Sequence, residues 1–141
     1  MLFRSASDPQ YNLAELHRRL GLAQLLAEDY PASAQSLAEA VRLKLEDPEL
    51  RFSLAVALAH QGFIEEPLEQ YLKAVALSPQ MGRLPQLYDL LGANCAKAGR
   101  YAEAIDFAEK ALRRARDANR ADLAAEFGRR LAAYKEKLAK P

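Results

Sequence analysis

Tryptophan is absent from this 141-residue chain, cysteine occurs once and histidine twice. A lone Cys95 closes no internal disulfide, so the fold must rest on a packed core, which a chain of this length can bury. His17 and His60 have no Cys or carboxylate at metal-ligand spacing beside them, and no nucleophile with its base is spelled out. The glycines of "LGANCAKAG" lack the spacing of a phosphate-binding loop and follow no strand. Neither a cofactor, a metal nor an enzymatic reaction is therefore expected. Long apolar runs are missing too: nothing approaches the ~18 residues of a spanning helix, and Met1-Leu2-Phe3 is too short for a signal-peptide core. A soluble chain in the cytoplasm is the expectation. The net charge of +1 gives no global argument for nucleic acid or a membrane surface as partner.

That small sum hides an asymmetry. Residues 110–141 hold ten Lys/Arg against four Asp/Glu, whereas residues 1–109 hold ten against fifteen. Arg113, Arg114 and Arg116 close one predicted helix, and Arg129 and Arg130 stand in the next; these five are the candidates for an anionic contact. Cations are favoured near helix C-termini in any case, so a solvated cap is the plain reading. Phe127 and Tyr134 sit at core spacing and offer no stacking platform for bases, which argues against nucleic acid.

What the chain has is alanine and leucine within a 50% apolar composition, the signature of an all-α protein. Asp8-Pro9 and Asp47-Pro48 each put a capping carboxylate before a proline at the first helical position, and Asp29, Tyr30 and Pro31 make a similar start. Gly62 and Gly99 mark helix ends, and Ser78-Pro79 with Met81-Gly82 marks a break. Seven helices are predicted, over residues 9–27, 31–46, 48–61, 64–77, 84–98, 101–117 and 120–139, and no strand. In the last, Leu123, Phe127, Leu131, Tyr134 and Leu138 keep helical spacing.

The helices repeat. Leu20-Gly21, Leu54-Ala55 and Leu91-Gly92 are spaced by 34 and then 37 residues. Seven residues after the second member of each pair comes a turn position, Glu28, Gly62 or Gly99, and nineteen after it an alanine, Ala40, Ala74 or Ala111. Two helices per period of about 34 residues describe a helical solenoid.

In the third unit, Tyr88, Leu91, Gly92, Cys95, Gly99, Tyr101, Ala104 and Ala111 resemble the tetratricopeptide repeat family. The first unit departs from its pattern at His17, Gln24 and Ser33, the second at Arg51, Ala55 and Pro67, and the third has Arg116 in place of the closing proline. The resemblance implies an all-α, right-handed superhelical solenoid of antiparallel hairpins in a single domain over residues 1–141. Its repeats would cover about 14–47, 48–81 and 85–118, with a capping helix over 119–139 and a flexible segment over 1–8. Cys95 is read as a small buried hydrophobe.

In this family the first helix of each unit lines a concave groove. The corresponding residues here are Arg18, Arg19, Leu22, Leu25 and Leu26, then Phe52, Ser53, Val56 and His60, then Asp89, Leu90, Ala93 and Lys97. Some members clamp a peptide's C-terminal carboxylate with Lys, Asn and Arg. At the corresponding positions stand Arg18, but Leu22 and Ser53 in place of Asn and Leu90 in place of Arg, which argues against that clamp. The expected function is a non-enzymatic scaffold that holds a peptide or helix of a protein partner in an apolar groove. A homo-oligomeric structural module and polyanion binding through the basic end are the alternatives. The competing structural reading is that some of these side chains pack on neighbouring helices, or that Met1-Leu2-Phe3 fills the groove.

Overall fold

The computed structural model describes residues 8–43 and 46–140. The described residues form seven α-helices and no strand: α1 Pro9–Leu26, α2 Tyr30–Arg42, α3 Pro48–His60, α4 Glu65–Leu77, α5 Gln86–Lys97, α6 Tyr101–Asp117 and α7 Ala121–Ala139. α2 stops at Arg42, short of the predicted residue 46, and the break after α4 is a 3-10 turn, Pro79–Arg83. Residues 1–7, which hold Met1-Leu2-Phe3 and all but Asp8 of the segment expected to be flexible, lie outside the described residues.

Three starts follow the predicted chemistry. Asp8 accepts from the Gln10 amide at 2.8 Å and Asp47 from the Glu49 amide at 2.9 Å, while Asp29 receives a longer bond, 3.4 Å, from Ala32. Each satisfies an amide that the first helical turn leaves without a partner.

The repeat register reappears as packing. Ala40, Ala74 and Ala111 have no exposed surface, and Gly21, Ala55 and Gly92 are all buried. Twelve residues after that second set come Ser33, Pro67 and Ala104, again buried. The turn positions share a backbone conformation: φ is 59° at Glu28, 96° at Gly62 and 77° at Gly99. At two of these turns the next amide reaches back over the helix end, Asp29 to the Gln24 carbonyl at 2.9 Å and Arg100 to the Cys95 carbonyl at 2.8 Å. Asn119, with φ 56°, makes the same turn between α6 and α7, where Arg120 reaches the Ala115 carbonyl at 2.9 Å.

A left-handed residue with a Cβ costs about 1–2 kcal/mol, and glycine avoids that strain at some entropic cost. Glu28→Gly is therefore expected to raise stability by about 0.5–1 kcal/mol, read as a higher urea midpoint at unchanged slope. A lower midpoint would mean that the Glu28 carboxylate contributes more than the backbone strain removes.

Contacts group the helices into two compact units, α1–α4 in the first and α5–α7 with Gly62–Ile64 in the second. In unit 1, α1 packs on α2, α2 on α3 and α3 on α4 around a core that includes Ala14, Leu37, Leu50, Leu54 and Leu58. Two serines of α2 tie it to α1: Ser33 Oγ donates to the Gly21 carbonyl and Ser36 Oγ to Gln24 Oε1, both at 2.7 Å. In unit 2, α6 lies between α5 and α7 in the contact order. The Tyr88 and Phe107 rings stack 6.1 Å apart, with the Lys110 ammonium 5.7 and 5.6 Å from their centroids. Phe127 is the one buried residue of α7 and carries its docking.

Candidate functional site

The thirteen groove candidates fall on α1 and α3 of unit 1 and on α5 of unit 2. Repeat-equivalent positions have equivalent exposure. Arg18, Phe52 and Asp89 are half-buried, as are Leu22, Val56 and Ala93, whereas Leu26, His60 and Lys97 at the helix ends are exposed. Helical spacing accounts for this, because the core-facing residues of α3, among them Leu50, Leu54, Ala57 and Leu58, leave Phe52, Ser53, Val56 and His60 on the other side.

On unit 1 the α3 face is apolar at its centre. Phe52 is held edge-on to Tyr71 of α4, with centroids 6.1 Å apart and planes inclined by 56°, so this ring is both a surface element and part of the α3–α4 packing. Val56 follows one turn later. His60 stacks on Tyr30, the first residue of α2, at 4.1 Å and 8°. Burial against that ring lowers the His60 pKa, opposed by the negative charge of Glu28. Leu22 and Leu25 pack against the core of unit 1, as the structural reading allowed, while Leu26 is 88% exposed.

The charges on α1 are paired. Glu15 accepts from Arg18 Nε at 2.8 Å and from Arg19 Nε at 3.1 Å. The Arg18 hydrogen bond holds the Glu15 carboxyl below its ordinary range, and the same contact raises the Arg18 guanidinium. Two cations share one carboxylate there, so the cluster keeps a net charge of +1, with Arg19 the more exposed of the two.

On unit 2, Leu90, Ala93 and Lys97 share one face of α5, and Asp89 stands at its edge against α7. There Asp89 accepts from Arg130, which also donates to Glu126 at 2.5 Å and lies 5.9 Å from the Phe127 ring centroid. Asp89 and Arg130, expected in two separate surfaces, are thus each other's partners across 41 residues of sequence. Burial raises the Asp89 pKa, and the Arg130 hydrogen bond only partly offsets it. Burial also raises Tyr134, reinforced by the charge of Asp89.

A carboxylate whose folded pKa lies above its unfolded value costs stability as pH rises between the two. Asp89→Asn is expected to remove that loss and leave unit 2 as stable or more stable at pH 7, since an amide oxygen still accepts from Arg130. Arg130→Ala strands the carboxylate and should cost about 1–2 kcal/mol at pH 7 and less below pH 4. Thermal melts of both variants between pH 3 and 7 read the difference.

Of the other basic candidates, Arg113, Arg116 and Arg129 are exposed and Arg114 is half-buried, and none forms an ion pair with a described residue. No group of three or more potential metal ligands occurs among the described residues, and none of their helices is long and apolar enough to cross a membrane. One feature escaped the sequence reading. Leu13, Leu16 and Leu20 of α1 are 46%, 62% and 47% exposed, on one helical face. Their spacing of three and four was visible, but α1 is apolar on more than one side, so spacing did not tell a covered face from a bare one.

No family model matches the sequence, and no curated protein is similar to it. Its fold has clear relatives among solved structures. PcrH in complex with the chaperone binding region of PopD superposes with a TM-score of 0.72 at 19% identity, over 97% of this chain and 98% of that one. PcrH is from Pseudomonas aeruginosa. The translocator chaperone SycD of Yersinia enterocolitica type III secretion gives 0.69 at 16% identity, covering 89% and 86%. The TPR2B domain of yeast Sti1, in its pHsp70 complex, gives 0.66 at 20% identity, covering 88% and 97%. At such identities the likeness speaks for the fold, and together with the repeat register it makes this chain a helical-hairpin protein of the tetratricopeptide-repeat fold.

Proposed function

We propose that the chain is a non-enzymatic scaffold or chaperone that holds a protein segment on the α1/α3 face of unit 1. The observation that carries this is that Phe52 and Val56 of α3 and Leu22 of α1 are apolar and half-buried, while Glu15 on α1 accepts from both Arg18 and Arg19. Such a surface binds through a few apolar anchor side chains, and its rigid hairpins leave most of the ordering cost to the partner. Structural neighbours solved with a peptide of YopD and with chaperone binding regions of PopB and PopD support a peptide as occupant. Leu90, Ala93 and Lys97 offer unit 2 a corresponding face. A cytoplasmic setting belongs to the same reading.

Phe52 also packs on Tyr71, so its replacement would confound binding with folding. Ser53→Glu combined with Val56→Glu is the cleaner probe. Capture of a partner from cell lysate should fall at least 100-fold, because each carboxylate would be desolvated against an apolar anchor. Undiminished capture by the folded double variant would refute the assignment.

A second reading rests on Leu13, Leu16 and Leu20, an apolar stripe that nothing described covers. It suits pairing of two copies through α1, and SycD has been solved in an alternative dimer. A mass that stays that of one chain throughout a dilution series would remove it.

A further inference from the structure

We propose that the α6–α7 face of unit 2 is a second docking surface, for a short peptide segment that sets a bulky apolar side chain beside one or two carboxylates. A depression of about 410 Å³ lies between the two helices, lined by Leu112 and Leu131 with Arg113, Arg116, Glu109 and Asp117. A second, of about 330 Å³, adjoins it at Arg116 and is lined also by Asn119, Arg120, Ala121 and Ala124. Space between two leucines suits one large apolar side chain.

The arginines decide the chemistry. Many guanidinium groups are answered within the fold, Arg18 and Arg19 by Glu15, Arg42 by Glu39, Arg100 by Glu103, Arg120 by Asp122 and Arg130 by Asp89, while Arg83, Arg114 and Arg129 pair with no described residue and line neither depression. Arg113 and Arg116 are exposed at the mouth of the depression and pair with no described residue, although Glu109 and Asp117 line it with them. Their forks are free to take carboxylates in bidentate fashion. Arg129 lies about 160° around α7 from Leu131 at 100° per residue, on the far side, and Arg130 is engaged by Asp89 and Glu126. Arg114 is half-buried and lines neither depression, so the five basic candidates reduce to Arg113 and Arg116.

Charge also selects against the rival ligand. A continuous phosphate chain would be repelled by Glu109 and Asp117, and the depression has no aromatic residue on which a base could stack. A peptide carrying separate carboxylates can set them on Arg113 and Arg116 and keep clear of the two acids.

The test is selection of phage-displayed random peptides on the full chain. Recovered peptides are then synthesised and their affinities measured for the wild type, for Arg113→Ala/Arg116→Ala and for Ser53→Glu/Val56→Glu. The expected result is a class pairing Phe, Leu or Trp with Asp or Glu, at least tenfold weaker on the arginine variant and unchanged on the groove variant. Absence of such a class, or equal binding to the arginine variant, would overturn the proposal. So would a single-stranded oligonucleotide that binds the wild type and loses affinity on the arginine variant when no peptide does. Because the two double variants lie in different units, failure here and failure of the α1/α3 assignment are separately visible.

Discussion

Replacing Gly21 by valine is expected to lower the stability of unit 1 by about 3 kcal/mol. A Cβ built on Gly21 would lie 2.5 Å from Leu37 Cδ2 and 2.6 Å from Cγ, and the Leu37 amide nitrogen stands at 3.2 Å. Leu37 has no exposed surface, so its side chain has no free space to swing into without displacing the core between α1 and α2. Valine adds two methyl groups to that clash and is a poorer helix former than alanine. At Gly92 the nearest atom to a new Cβ is the Ala104 carbonyl oxygen at 3.3 Å. Gly92→Ala should therefore be close to neutral, the tighter contact offset by about 1 kcal/mol of helix propensity. Urea unfolding of both variants makes the comparison; equal losses at the two sites would show that Leu37 does not decide the Gly21 contact.

Phe127→Ala should have an effect of similar size in unit 2, about 3–5 kcal/mol, by a different route. Phe127 is 3% exposed and is the sole buried residue in the nineteen of α7, while Leu123, Leu131 and Tyr134 are half-buried and Leu138 is 53% exposed. With the ring gone, α7 keeps the Arg130 contacts to Asp89 and Glu126, both partly open to water and each a small contribution. Hydrogen exchange should then show α7 amides losing protection while α1–α4 amides keep theirs, since α7 packs on α6 of its own unit. Loss of protection across the whole chain would mean instead that the two units unfold together.

The repeat was legible because its signals are local. An Asp before a proline caps whatever helix follows, and a buried alanine nineteen residues after each Leu-Gly or Leu-Ala pair is a spacing that needs no tertiary knowledge. Glu28 shows how far such reasoning reaches: aligned with Gly62 and Gly99 by position alone, it adopts their left-handed backbone despite its side chain. Contacts between distant residues were not legible in this way. Asp89 was read as a groove residue and Arg130 as a free cation, because nothing in either neighbourhood announces a partner 41 positions away. Glu15, one turn before Arg18 and Arg19, is by contrast a local signal at i,i+3 and i,i+4 spacing, and it accepts from both. The Leu13, Leu16 and Leu20 stripe marks a further limit, since a leucine on a helix has the same spacing whether a neighbour covers it or not.

The central claim is that partners are held on the α1/α3 face. It is tested most directly by placing a photo-crosslinking amino acid at Val56 in one protein and at Gln35, exposed on α2, in another. Illumination in cell lysate should give discrete adducts from position 56 and none from position 35. Adducts from position 35 alone, or the same adducts from both, would contradict the account.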